Sequence, residues 1–237
     1  HKYLSTKYGW FIRKKFTSLI TKNLKFHYTY SLIFRNSTTV KKNSDIVIEG
    51  FVRSSNTYFE TNFRLSNPSL KIAHHNHQIS QLYFANKFNK TIVFLIREPI
   101  DSIISAYIYW AKSTHPNKIL NEWIKYHRNV INLNLNINVY SFLQVTTDYN
   151  SVITDLNKKT NSNFLLADED ILQKKTFNKI KENLKDIERG ITHIASIPSN
   201  DRNIEKQKIK NQILKDSKSL ALLKEANEIY VKLIDKD

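Results

Sequence analysis

The hexapeptide "TIVFLI", Thr91 to Ile96, is apolar at every position after its first residue. Side chains of a strand alternate between two faces, so such a strand must be covered on both, which is the situation of a parallel sheet with helices on each side. The flanking stretches repeat the theme. "DIVIEG" (45–50) is a β-branched run followed by a polar turn and by "TYFETNFRL", which reads as a helix that Pro68 stops. "LKIAHH" reads as a second strand and "ISQLYFANKF" as a helix; Pro99 then opens a helix through "DSIISAYIYWAK", with Asp101 near its positive end. Further on, "NEWIKYHRNVI" reads as helix, "INVYSF" as strand and "YNSVITDLNKKT" as helix. This alternation predicts a three-layer α/β/α fold with a central parallel sheet, whose ligands sit at the carboxyl ends of the strands. From Asp168 the chain reads as charged helices, interrupted by "ASIPSNDRN" and closed by the amphipathic "SLALLKEANEIYVKLI". Neither a repeat nor a linker divides it, so residues 1–237 are expected to form a single domain, with 1–44 as an amino-terminal extension and 45–237 as the core.

Composition narrows the chemistry. A net charge of +16 suits an anionic partner, although lysine, asparagine and isoleucine are abundant together while glycine numbers only 3, a bias that codon usage alone also produces. With no cysteine, disulfides and thiolate metal sites are excluded. No apolar run reaches the ~20 residues of a membrane-spanning helix and no signal-peptide pattern opens the chain, so a cytoplasmic protein without stable membrane insertion is expected. The opening "YGWFIRKKFTSLITKNL" spreads Trp10, Phe11, Phe16, Leu19 and Ile20 over a helix that packs on its own domain or lies on a membrane surface.

The loop after the first strand, "GFVRSSNT" (Gly50 to Thr57), falls where a nucleotide-binding loop belongs. Against the pattern G-x-x-x-x-G-K-[ST], Gly50 and Thr57 remain, but Ser55 replaces the second glycine and Asn56 the lysine. The strand "TIVFLI" ends in Arg97 and not in the aspartate that holds magnesium in nucleoside triphosphatases. Two arginines and no metal carboxylate imply direct contact between protein and phosphate: Arg53 folds over a short anion, and the loop amides with the following helix end bind the rest. In "REPIDSIISAY", Arg97 at a strand end and Ser105 two turns along the next helix share a pocket for a second phosphate.

On these residues the chain resembles the sulfotransferases that use 3'-phosphoadenosine 5'-phosphosulfate (PAPS). Their 5'-phosphosulfate loop has the form P-[RK]-S-G-[NTS]-T; here "VRSSNT" matches it at Arg53, Ser54, Asn56 and Thr57, with Val52 in place of proline and Ser55 in place of glycine. Their 3'-phosphate motif, R-x-P-x-D-x-x-x-S, is matched in full by Arg97, Pro99, Asp101 and Ser105. The resemblance runs from about Asp45 to the carboxyl end, with "VYSFL" where the family often has Y-E-D-L and "IPSNDRNIEKQK" similar to its distal basic loop. It implies a P-loop-like 5'-phosphosulfate-binding loop, PAPS as sulfuryl donor, no metal, and transfer to a hydroxyl or amine of a small-molecule or saccharide acceptor. Ser54, Ser55, Asn56 and Thr57 would position the phosphosulfate, Arg53 would stabilise charge on the departing phosphate oxygen, and Arg97 and Ser105 would hold the 3'-phosphate. Tyr140 would stack near the adenine or fill the core beside Phe142, and Arg202 with Lys206 or Lys208 would close over the 3'-phosphate. A glycine position filled by Ser55 would demand a positive φ from a residue with a side chain.

Sulfuryl transfer needs a group that takes the acceptor's proton, and "KIAHHNHQ" supplies three histidines near the end of the second strand. Strand alternation sends His75 and His77 to one side and His74 to the other, and His75 is preferred as the base, with His77 second. Lys71 either touches the leaving phosphate or lies on the surface. Zinc binding by the three histidines is disfavoured because no acidic ligand lies nearby in sequence. Two other functions compete: a small-molecule kinase, disfavoured by Asn56 and Arg97, and a non-catalytic basic nucleic-acid-binding protein, with nucleic acid not expected as a partner.

Overall fold

The structure is a computed structural model and describes residues 23–110, 112–185 and 200–235. Its centre is a four-stranded parallel sheet in the order β2-β1-β3-β4, built from β1 (Ile46–Gly50), β2 (Ile72–His74), β3 (Thr91–Ile96) and β4 (Asn138–Ser141). The helices that follow these strands are α2 (Asn56–Ser66), α3 (Ile79–Lys87), α4 (Pro99–Tyr109) with α5 (Pro116–Leu133), and α6 (Phe142–Thr147) with α7 (Tyr149–Thr160). The three-layer α/β fold with a parallel sheet is the architecture the alternating pattern predicts.

Alternation in the strands divides the core in two. Val47, Ala73, Ile92, Phe94, Ile96 and Val139 face one layer, which contains α3, α4, α5, α9 (Asn200–Ile213) and α10 (Ser217–Ile234). Ile46, Ile48, Ile72, Val93, Leu95 and Tyr140 face the other, with Phe59 and Phe63 of α2 and Val152, Ile153 and Leu156 of α7. Local signals fix the helix starts: Pro99 and Pro116 sit in the first turns of α4 and α5, and Ser141 and Gln144 form a reciprocal capping box on α6. A π-helical turn, Ile171–Lys175, leads into α8 (Thr176–Lys185).

Residues 23–44, expected as part of an extension, belong to the packed body. Helix α1 (Leu24–Phe34) stacks Tyr28 on Phe84 of α3 at 3.8 Å, and the Tyr28 hydroxyl donates to the carbonyl of Val40 at 2.8 Å. The N–H of His74 donates to the carbonyl of Thr38, which continues hydrogen bonding beyond β2. The amphipathic stretch 8–24 lies outside the described residues except at its last two positions. No helix among the described residues is long and apolar enough to cross a membrane.

The chain reverses direction in the sheet between β1 and β3, because β2 lies on one side of β1 and β3 on the other. Segments leaving the carboxyl ends of β1 and β3 therefore flank a crevice, the usual ligand position in such sheets. Gly50, paired with Leu95, is required there: a Cβ at position 50 would lie 2.2 Å from the Leu95 carbonyl oxygen.

His127 lies at the heart of the first layer, fully buried, with its ring centroid 3.7 Å from that of Trp123 and Nδ1 donating to the Trp123 carbonyl at 2.8 Å. Burial holds its pKa down to about 3. Below pH ~6.5 the unfolded chain takes a proton at this residue that the folded chain refuses, so stability is lost as pH falls from there toward the folded value. Replacing His127 with phenylalanine should remove that dependence: in urea titrations between pH 6 and 4, the wild type should lose up to about 1.4 kcal/mol per pH unit more than the variant.

Candidate functional site

The loop between β1 and α2 is held from three directions. Asn56 Nδ2 donates to the Phe51 carbonyl at 2.9 Å, Ser102 Oγ of α4 donates to the Val52 carbonyl at 3.3 Å, and Arg97 Nη1 donates to the Arg53 carbonyl at 3.3 Å. Two of its residues, Arg53 (φ 71°) and Ser55 (φ 66°), take the left-handed conformation that side chains disfavour. Ser55 thus has the backbone geometry expected of a residue in a glycine position. As the residue before α2 it makes no side-chain cap, its hydroxyl turning to the Ser54 carbonyl. The first N–H groups of α2 are therefore available to an anion. Beside them, Ser54 Oγ and Asn56 Oδ1 are buried without a hydrogen-bond partner among the described residues.

Arg53, Arg97, Arg202 and Lys206 gather at this edge. Arg53 Nε donates to Ser105 Oγ at 3.0 Å, and its guanidinium lies 5.2 Å from the ring centre of Tyr109. Arg97 stacks over Phe142, the first residue of α6, at 4.0 Å, and its Nε is buried without a partner among the described residues. A cleft of about 280 Å³ between α4 and α9 is lined by Arg97, Asp101, Ile104, Asn203, Lys206 and Lys210. Burial pulls the pKa of Arg53 down to about 10, and Arg97 and Arg202 add to that pull. Lys206 is lowered by burial and then by Arg97, Arg202 and Arg53, with Asp101 opposing. Arg97 is lowered by burial too, and Asp101 and Glu98 offset part of it. At Arg53 and Lys206 the neighbouring guanidiniums thus oppose the positive charge, a repulsion that an anion placed among them would relieve.

Of the residues singled out in sequence, Arg53, Arg97, Ser105 and Arg202 come together, with Lys206 and not the exposed Lys208 facing the cleft. The two phosphate cradles meet rather than stand apart, because Arg53 reaches Ser105. Tyr140 is not brought to the cleft: it is 3% exposed in the second core, and its hydroxyl donates to Asp155 at 2.8 Å. Lys71 precedes β2 and is exposed, at the opposite edge of the sheet from the loop, which leaves it as a surface residue. The distal basic segment is helical where it is described, from Asn200 onward; residues 195–199 of "ASIPSNDRN" lie outside the described residues.

The histidine segment departs from strand alternation. β2 stops at His74, and His75 (φ 55°) and His77 (φ 51°) are both left-handed. His75 uses both ring nitrogens within the protein: Nε2 lies 3.1 Å from Thr57 Oγ1 and Nδ1 lies 2.5 Å from His74 Nδ1. His77 Nδ1 is 2.8 Å from the Gly50 carbonyl, to which it can only donate, so Nε2 carries the lone pair. His74 is 3.8 Å from Glu60 and turns toward α2. Burial lowers the pKa of all three, His77 to about 4, so each is neutral near pH 7. No group of three histidine or acidic side chains among the described residues is arranged to hold a metal ion.

No family model matches the chain, and no curated protein matches it either. Among solved structures it is similar to a mouse sulfotransferase, SULT7A1, complexed with PAP, at 12% identity over 76% of this chain and 79% of that one, with a TM-score of 0.44. A likeness of that degree carries no chemistry from one protein to the other.

Three side chains at the site escaped the sequence reading: Tyr109, Phe142 and Glu49. The aromatic pair had no local signal, since Tyr109 ends α4 and Phe142 opens α6, each on a different segment from the arginine whose guanidinium it faces. Ser55 offers a test of the loop. The variant Ser55→Gly should be more stable than wild type by about 1 kcal/mol in chemical denaturation, because glycine takes the left-handed conformation without the side-chain penalty.

Proposed function

We propose that the protein is a sulfotransferase that moves a sulfuryl group from PAPS to a hydroxyl or amine of a small-molecule or saccharide acceptor. The observation that carries this reading is the junction of Arg53, Arg97 and Ser105, where the loop after β1 and the loop and helix after β3 contribute cations and a hydroxyl to one crevice. A nucleotide with phosphate at two places on its ribose has a use for both segments, whereas a nucleoside triphosphate has no need of the second.

The residues present fit that donor. Ser54 Oγ, Arg97 Nε and the uncapped start of α2 are buried or backbone groups without an acceptor among the described residues. The loop amides with Ser54 and Thr57 would hold the 5'-phosphosulfate, and Arg97, Ser105 and Lys206 the 3'-phosphate, while Arg53, lying between them, meets the charge that grows on the departing 5'-phosphate oxygen. The scheme places protein cations where a kinase places magnesium. In the transfer, the acceptor oxygen or nitrogen bonds to sulfur as the bond from sulfur to the 5'-phosphate oxygen breaks. The acceptor's proton passes to a histidine. Between the two candidates, His77 has the better geometry, since its Nε2 has no hydrogen-bond partner among the described residues and His75 Nε2 is held by Thr57.

Calorimetry without magnesium tests the donor. Adenosine 3',5'-bisphosphate should bind at least tenfold more tightly than ADP, and Arg97→Ala should erase that preference, in keeping with roughly 1.5–3 kcal/mol for a charged hydrogen bond. Equal binding of the two nucleotides, or dependence on salt with no preference among adenine nucleotides, would remove the assignment.

A second measurement assigns the base. In assays of PAPS consumption with a panel of phenols, amines and sugars, His77→Gln should lower the rate by about 10²–10⁴-fold while leaving bisphosphate affinity within about twofold. The smaller loss is expected for His75→Gln; the reverse order would make His75 the base.

A further inference from the structure

A carboxylate lies beneath the histidine turn. Glu49 is fully buried in β1, and alternation with Val47 puts its side chain on the α3 and α5 face of the sheet. Glu49 Oε1 accepts the N–H of Asn76 at 2.7 Å and Gln81 Nε2 at 3.4 Å, and Oε2 accepts the N–H of His77 at 2.9 Å. Two backbone donors point at two different oxygens, both of which a carboxyl group offers as acceptors. A glutamine would turn its NH₂ toward one of them and lose that bond.

The turn needs such a clamp. His75 and His77 are left-handed, at a cost of roughly 1–2 kcal/mol each, and persist only where surrounding bonds over-determine them. Asn76 between them is buried and tied by its side chain to Thr38, Thr39 and Gln81, and Arg35 donates to its carbonyl. Glu49 Oε2 also lies 3.9 Å from His77 Nδ1.

We propose that Glu49 is the positioning residue of His77: it fixes the Asn76–His77 turn so that Nδ1 donates to the Gly50 carbonyl and Nε2 stays bare, and it supplies the counter-charge when Nε2 takes a proton. This rests on the reading of His77 as the base. A counter-charge is needed because Arg35 at the end of α1 and His74 of β2 both oppose positive charge on His77, and burial opposes it more strongly still. Tyr126 of α5 and His75 are further ionisable groups around the pair among the described residues; Tyr126 stays neutral, its own ionisation opposed by burial and by Glu49. Burial lifts Glu49 to about 7, against the bonds from Asn76, His77 and Gln81 that favour its charge, so its ionisation falls in the range where the enzyme would work.

The test is ¹H–¹⁵N NMR of histidine side chains in the full chain, with His77 assigned by the signal missing from His77→Gln. In wild type the Nδ1–H tautomer should dominate, and the His77 signals should inflect twice, once near pH 7 with Glu49 and once at lower pH with the ring itself. Glu49→Gln should lose the first inflection and populate the Nε2–H tautomer substantially, and Glu49→Asp should recover the inflection. An Nε2–H tautomer in wild type, or no inflection near pH 7, would overturn the proposal without any variant. A folded Glu49→Gln with unchanged tautomer and titration would overturn it as well. Binding of adenosine 3',5'-bisphosphate separates this from the wider reading: tight binding with the signature missing sinks the role of Glu49 alone, and the signature with no binding sinks the sulfotransferase reading.

Discussion

The contact between β1 and β3 at Gly50 governs everything at the carboxyl edge of the sheet. With the Leu95 carbonyl occupying the space a side chain would need, the two strands end side by side, and what leaves them must share one crevice. Arg97 follows immediately and donates to the backbone of the loop that β1 feeds. Ser102 of α4 reaches the same loop from a turn further along. The loop is thus shaped by the neighbouring strand's continuation as much as by its own residues, which allows two left-handed residues with side chains to persist in it.

That arrangement sets an electrostatic problem. Arg53, Arg97, Arg202 and Lys206 come from three separated segments and press their charges into a partly enclosed space, where burial is the largest influence on three of them. Asp101 and Glu98 compensate only in part. The rings of Tyr109 and Phe142 lend their faces to two of the guanidiniums, a weaker compensation that does not compete for the same hydrogen bonds as an incoming oxyanion. The opposite problem is met at Glu49, where a single buried carboxylate is satisfied by amide donors.

Much of this was legible in the sequence because it is periodic or punctuated. "TIVFLI" and "YNSVITDLNKKT" fall on β3 and α7 with the boundaries they suggest, since burial on both faces and capping residues are local signals. The positive φ at Ser55 was also readable from the glycine position, whereas Ser105, read as sharing a pocket with Arg97, is bonded to Arg53. Failures occurred where a local rule met a tertiary constraint. Alternation placed His75 and His77 on a strand that in fact stops at His74, because Glu49 and Asn76 bend the chain there. Of the two places offered for Tyr140, β4 gives it the second core, and Phe142 two residues on reaches the arginine. Helix α1 was hidden by its weak apolar face: Phe26, Ile33 and Phe34 are exposed while His27 and Ser31 are buried.

Helix α9 enters the crevice from nearly a hundred residues beyond α4. It is fastened by Ile209 and Ile213 in the core and by the pairing of Lys112 with Glu205 at 2.7 Å. Its basic residues repel those of the loop and of β3's end. Any polyanion lodged between them therefore acts as mortar as well as cargo, and the seating of this helix and the grip on the guest draw on one shared free energy, each strengthening the other by the same factor.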